Sequence, residues 1–157
     1  MQSPIAEVML AASAKVLETM FFADAAPASP DASPAPDALA CALYYNGAET
    51  GSFHVVIDRP ALAVLASGFY GDDFESSEAQ NELLCELTNM LAGSTLSRYA
   101  PQYSCALSPP TLYDLTSSAA KPAHNGECVT RLVLTIEDGL LAIECSLRGR
   151  AEAEAAA

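Results

Sequence analysis

Cys128-Val-Thr-Arg-Leu-Val-Leu-Thr-Ile136-Glu-Asp-Gly139-Leu-Leu-Ala-Ile-Glu-Cys145-Ser-Leu147 alternates so regularly that it predicts two strands joined by a tight turn. Successive strand side chains point to opposite faces. Cys128, Thr130, Leu132, Leu134 and Ile136 therefore share one apolar face, and Leu141, Ile143, Cys145 and Leu147 continue it beyond the turn. Glu137-Asp138-Gly139 is too short for a crossover, so the two strands are antiparallel and the sheet they found is at least partly so.

Upstream, Leu39 to Tyr45 and Ser52 to Asp58 predict a second hairpin around Asn46-Gly47-Ala-Glu-Thr-Gly51, whose glycines and asparagine supply turn conformations. Tyr103 to Leu107 is a short strand candidate that breaks at Ser108-Pro109-Pro110, and a polar stretch from Thr116 to Glu127 leads to the last hairpin.

Three segments carry helical spacing. Ser3-Pro4 caps the first, in which Ile5, Val8, Met9, Ala12, Val16, Leu17, Met20 and Phe21 recur on one side. Arg59-Pro60 opens a short helix through Phe69 that Gly71-Asp72-Asp73 stops. The third runs from about Glu78 to Arg98. Between the first helix and the first hairpin, residues 24–37 are Ala/Pro/Ser/Asp. Pro27, Pro30, Pro34 and Pro36 deny helix and ladder hydrogen bonds there, which predicts a surface loop. The Ala/Glu residues 151–157 have no face to bury and read as a flexible tail.

Composition narrows the function. With 51% hydrophobic residues, the 157-residue chain suffices for one core. Twenty acidic against seven basic residues give a net charge of −13, which repels phosphate backbones and anionic membranes. Neither nucleic acid nor membrane is an expected partner. No apolar run reaches spanning length and Met-Gln-Ser-Pro lacks a leader's positive start, so a cytoplasmic location is expected. Cys41, Cys85, Cys105, Cys128 and Cys145 form no Cys-x-x-Cys pair and read as buried free thiols in a reducing compartment.

The usual motifs of nucleotide hydrolysis, dinucleotide binding, zinc proteolysis and the serine nucleophile elbow are absent. His54 sits in a strand pattern and His124 in a polar loop, which suits structural or solvated roles. Asp72, Asp73 and Glu75 read as a solvated loop.

What remains is Glu82-Leu-Leu-Cys-Glu86-Leu-Thr-Asn89-Met-Leu-Ala-Gly93 on the third helix. At 100° per residue, Glu82, Glu86, Asn89 and Gly93 fall within about 60°, while Leu83, Leu84, Leu87, Met90 and Leu91 centre roughly 130° away. The row Glu78, Glu82, Glu86 repels itself by about 0.2–0.5 kcal/mol per pair, so local stability did not select it. A metal-dependent enzyme on this row is the weakest reading, since a hard cation wants about six oxygens.

Glu86-Leu-Thr-Asn89-Met-Leu-Ala-Gly93 resembles the Glu-x-x-Asn helix motif of the CheC/CheX/FliY phosphatases, which dephosphorylate the chemotaxis response regulator CheY. Segment order from Ile5 to Leu147 resembles the CheX branch: the opening helix ending in Leu17-Glu-Thr-Met-Phe21, a strand pair containing Gly51, a short helix ending at Gly71, the motif helix, and Ser108-Pro109-Pro110. The first helix offers Glu18 but Phe21 where a second asparagine would stand, so one site is implied. Glu82 departs from the Asp or Ser usual four residues before the motif glutamate.

The resemblance implies a single α+β domain over residues 1–150, a largely antiparallel sheet packed against long helices. It implies hydrolysis of the aspartyl phosphate of a CheY-type response regulator, with Glu86 and Asn89 catalytic and Glu82, Glu86 and Asn89 meeting the partner. The chain would need no cofactor of its own, because the Mg²⁺ belongs to the regulator. Relatives associate through their sheets, which suggests a homodimer. Gly93 would be a close-packing position. The competing reading is a non-catalytic adaptor of the chemotaxis or flagellar-switch type.

Overall fold

The computed structural model describes residues 4–47, 49–71, 76–102, 104–116, 128–137 and 139–149. The expectations for Asp72, Asp73 and Glu75, for residues 117–127 with His124, and for the tail 151–157 lie outside them.

In chain order the elements are α1 (Pro4–Phe21), β1 (Ala26–Pro27), β2 (Leu39–Asn46), β3 (Glu49–Ile57), α2 (Arg59–Tyr70), α3 (Ser77–Tyr99), β4 (Ala106–Leu107), β5 (Thr111–Tyr113), β6 (Cys128–Ile136) and β7 (Gly139–Gly149). The sheet runs β1-β6-β7-β3-β2-β4, with β5 also on the outer edge of β2, and every pairing is antiparallel. This is the α+β class that the alternation and the helical segments predict.

One sheet face carries Cys41, Leu43, Tyr45, Phe53, Val55, Ile57, Leu134, Ile136, Leu141, Ile143 and Cys145, buried against Met9, Leu17 and Phe21 of α1, Leu62 and Leu65 of α2, and the leucines of α3. The alternation in the hairpins thus meets the 3.6-residue spacing of the helices in one core. The opposite face is not open either. Ala40, Ala42, Ser52, His54, Val133, Ala142 and Ser146 are all buried. Tyr113 reaches His54 there with a 3.3 Å hydroxyl–Nδ1 contact, and Arg131 donates to the carbonyls of Pro30 and Ala32, fastening loop 28–37. His54 is therefore a structural residue of this second packed face.

Several local expectations need correcting. The proline-rich segment contributes β1, where Ala26 and Pro27 pair with Thr135 and Leu134. A proline is tolerated at this position because the strand lies at the sheet edge and Ala28 N–H supplies the next bond, to the Val133 carbonyl. Ser108-Pro109-Pro110 interrupts rather than ends the edge: Ser108 N–H donates to the Tyr44 carbonyl, Tyr44 N–H to Ser108 Oγ, and the edge resumes as β5. Cys105 is exposed and Cys85 half-buried, so burial holds for Cys41 and Cys145 only among the described cysteine side chains.

Two glycines do other work than turning. Gly51 lies inside β3, where the Tyr45 side chain crosses it to donate its hydroxyl to the Ser146 carbonyl; an added Cβ would stand 2.5 Å from that hydroxyl. At the β6–β7 turn Glu137 takes the left-handed φ of 49°, whereas a Cβ on Gly139 would come within 2.8 Å of Ala61 Cβ. Gly139 lets the turn approach α2.

Candidate functional site

The motif helix starts where chemistry says it should. Ser76 is in extended conformation and its hydroxyl accepts from Ala79 N–H at 3.1 Å, satisfying an end donor, and Glu78 sits in the first turn where the positive helix end favours it. The helix then packs against α1, α2 and the β2–β3 half of the sheet.

Its buried residues are Leu83, Leu84, Leu87, Thr88, Leu91, Ala92, Thr95 and Leu96. They centre roughly 160° from the middle of the polar edge, more squarely opposite it than the leucines alone indicate. Met90 is only half-buried, and Thr88, Ala92 and Thr95 take its place in the core. Thr88 tolerates this because its hydroxyl donates to the Leu84 carbonyl one turn back at 2.8 Å.

Glu82 and Glu86 are exposed and Asn89 is half-buried. The structure brings all three onto one outward edge, spread over about 10 Å of helix at 1.5 Å per residue. None of the three side chains has a hydrogen bond or ion pair to another described residue. The helix backbone fixes where these groups project, and no other described side chain engages them. Among the described residues, no three His, Cys, Asp or Glu side chains are grouped to hold a metal ion, the Glu78/Glu82/Glu86 row included.

Gly93 departs from its expected role. Among the described residues an added Cβ would meet only Leu107 Cδ1, at the ordinary distance of 3.9 Å, so close packing against them does not require glycine there. The edge has two neighbours that sequence spacing alone left unconnected. Cys85, one turn before Asn89, lies 3.9 Å sulfur to sulfur from Cys41 of β2. Burial pushes the Cys41 thiol up to about 12, against a partial offset from the Thr88 hydroxyl. Asn81, next to Glu82, lines a shallow groove of about 550 Å³ with Arg59, Leu39, Tyr113 and the exposed Leu112 and Leu115. Burial likewise raises the Tyr113 phenol to about 12, with the Glu144 carboxylate adding to the rise.

The helix-covered antiparallel sheet places the chain among the CheX and CheC-like chemotaxis proteins by fold. Chemotaxis protein CheX from Vibrio vulnificus superposes with a TM-score of 0.76 at 18% identity, covering 93% of this chain and 97% of that one. A CheC-like superfamily protein from Shewanella sp. PV-4 does so with 0.76 at 19%, covering 95% and 100%. CheX in the CheX–CheY–BeF3–Mg²⁺ complex from Borrelia burgdorferi gives 0.66 at 15%, covering 94% and 99%. No curated protein matches in sequence. Residues 39–133 match the family described as chemotaxis phosphatase CheX, and the chain belongs to that family.

Proposed function

We propose that this chain hydrolyses the aspartyl phosphate of a CheY-type response regulator, with Asn89 holding the attacking water and Glu86 setting the register of docking. The observation that carries the reading is the edge itself: Glu86 and Asn89 stand outward, unengaged by their own domain, on a helix whose other face is fixed in the core. Family membership supports the reaction class, and the Borrelia burgdorferi relative was seen with CheY.

An acyl phosphate is already activated, and the regulator supplies Mg²⁺ and a lysine near the phosphoryl oxygens. What this chain adds is position, which is most of what phosphoryl transfer requires. The Asn89 carboxamide oxygen accepts a hydrogen bond from a water in line with phosphorus. The water oxygen bonds to phosphorus, the bond to the aspartyl oxygen breaks, and the aspartate leaves as carboxylate. The water's proton passes to the inorganic phosphate formed. Glu86 meets the regulator's lysine in a charge-assisted contact. A carboxylate aimed at the anionic phosphoryl group would be repelled, which assigns the neutral amide to the water and the acid to docking. Glu82 extends the docking edge, and a homodimer, read by light scattering, belongs to the same proposal.

The test follows the decay of phosphorylated regulator with wild type and Asn89→Ala. The variant is expected to lose the acceleration while its unfolding midpoint is unchanged. A loss below about twofold defeats the assignment, since a positioned group normally contributes at least tenfold. Binding of the phosphorylated regulator with no change in its decay by wild type would instead establish the adaptor reading.

A further inference from the structure

We propose that Cys41 and Cys85 form an oxidisable dithiol that peroxides convert to a disulfide between β2 and the motif helix, shifting the edge that carries Glu86 and Asn89. The two sulfurs come from segments 44 residues apart and lie 3.9 Å from each other. A disulfide needs about 2.05 Å, so closure requires roughly 2 Å of combined side-chain rotation and helix movement. Cys41 is anchored on the core face of β2, completely buried, whereas Cys85 is half-buried at the flank of the polar edge. Cys41 sits on a strand paired on both sides, so the part of closure that side-chain rotation does not supply falls to the helix.

The other described thiols are not so placed. Cys105 is exposed at the edge of the sheet, and Cys145 is buried with its sulfur 3.8 Å from the Tyr45 hydroxyl. Reactivity within the pair divides by accessibility. Cys85 is the member an oxidant reaches, and Cys41, whose ionisation burial opposes, resolves the product. The Cys85 thiolate attacks one peroxide oxygen, the O–O bond breaks, and sulfenic acid and hydroxide result, the hydroxide taking up the thiol proton as water. The Cys41 sulfur then attacks the Cys85 sulfur, the S–O bond breaks, and the departing hydroxide takes the Cys41 proton as a second water. The two thiols lose two electrons and two protons, and hydrogen peroxide gains them. A dithiol reductant reverses the change.

Cys85 immediately precedes Glu86 and sits one turn from Asn89, so a pull on its sulfur acts where the edge is. The consequence for activity rests on the phosphatase reading; the formation of the bond does not.

The full chain is treated with graded hydrogen peroxide, its remaining thiols are alkylated, and digested peptides are read by mass spectrometry. A Cys41–Cys85 cross-linked peptide that dithiothreitol abolishes is expected, together with altered hydrogen exchange across α3. Oxidation confined to Cys105, with no such peptide, overturns the proposal. In the decay assay the oxidised wild type is expected to lose between about threefold and a hundredfold, as a displacement near 1 Å does to a positioned group. Cys85→Ser is expected to keep its activity and to become insensitive to peroxide. A cross-linked protein with undiminished activity and unchanged exchange over α3 overturns the coupling. If reduced wild type accelerates no regulator, the phosphatase reading fails, and the peptide and exchange results still decide the dithiol.

Discussion

Replacing Gly93 with alanine separates the stability of the motif helix from its use. Glycine in a helix interior is about 0.8–1.0 kcal/mol less favourable than alanine. Among the described residues the added Cβ has only Leu107 Cδ1 near it, at 3.9 Å, and no clash there offsets the gain. Gly93→Ala is therefore expected to stabilise the protein by nearly 1 kcal/mol, raising its melting midpoint by about 2–4 °C for a chain of this size. The same methyl group projects from the edge that carries Glu86 and Asn89, one turn beyond Asn89. If a partner surface closes over that edge, it meets a group it has no room for, at about 1–3 kcal/mol, or roughly fivefold to 150-fold in apparent affinity.

The assays are thermal unfolding and regulator dephosphorylation at several regulator concentrations. A higher midpoint with a raised KM and a nearly unchanged kcat is the expected pair of results. A stabilised variant with wild-type KM would show that no partner approaches Gly93 and would shrink the docking edge to Glu82, Glu86 and Asn89. A destabilised variant would refute the space read around residue 93.

Phe22 follows the last residue of α1 with a left-handed φ of 54° and is 81% exposed, so its side chain brings strain with little packing; Phe22→Gly is expected to raise the urea midpoint by about 0.5–1 kcal/mol equivalent, and a lowered midpoint would show that the ring packs after all. Gly51→Ala is expected to destabilise by about 2–4 kcal/mol, because the methyl displaces the Tyr45 hydroxyl from the Ser146 carbonyl and crowds β7; near-neutral urea unfolding would refute the crossing. Stability should also fall in alkali. Burial holds the Cys41 and Cys145 thiols protonated to about 12 against an ordinary 9.0, and the Tyr113 phenol to about 12 against 10.0. Between those values the unfolded chain binds fewer protons than the folded one, so this contribution is complete below pH 9 and is lost as pH rises toward 12. Urea midpoints that agree at about pH 8 and about pH 10.5 would refute it.

The helices and the two long hairpins were legible because each is specified by its own residues: alternation in 128–147, apolar spacing in Ile5 to Phe21, leucines in 83–91. The two-residue β1 and the three-residue β5 were not, since their pairing is dictated by the unpaired edges of β6 and β2 rather than by Ala26-Pro27 or Thr111 to Tyr113 themselves. The burial of Ser52, His54 and Ser146 was not legible, because alternation alone does not say whether the second face of a sheet is covered. Ser52 and Ser146 meet that burial by facing each other, hydroxyl to hydroxyl at 2.9 Å. The direction of Glu82, Glu86 and Asn89 was legible for the opposite reason. A helix is a ruler, and once the leucines fix its inner face, the outer one follows.

That edge is also where the sequence works against its own helix. The repulsion of Glu82 and Glu86 costs about 0.2–0.5 kcal/mol, and Gly93 costs about 1 more, whereas Glu78 is compensated at the helix start. Leu83, Leu84, Leu87 and Leu91 are fully buried, and at about 1.5–3 kcal/mol each they stabilise the helix several times over. Nothing in folding therefore removes these local penalties, but nothing in folding produces them either. A lysine in place of Glu82 or an alanine in place of Gly93 would improve the helix without disturbing the core. On the proposed phosphatase reading, acidic charge, a neutral carboxamide and an open glycine on one edge share a reason outside the domain: a cationic side chain to dock on, a phosphoryl group that tolerates an amide but not an acid, and a surface that comes close.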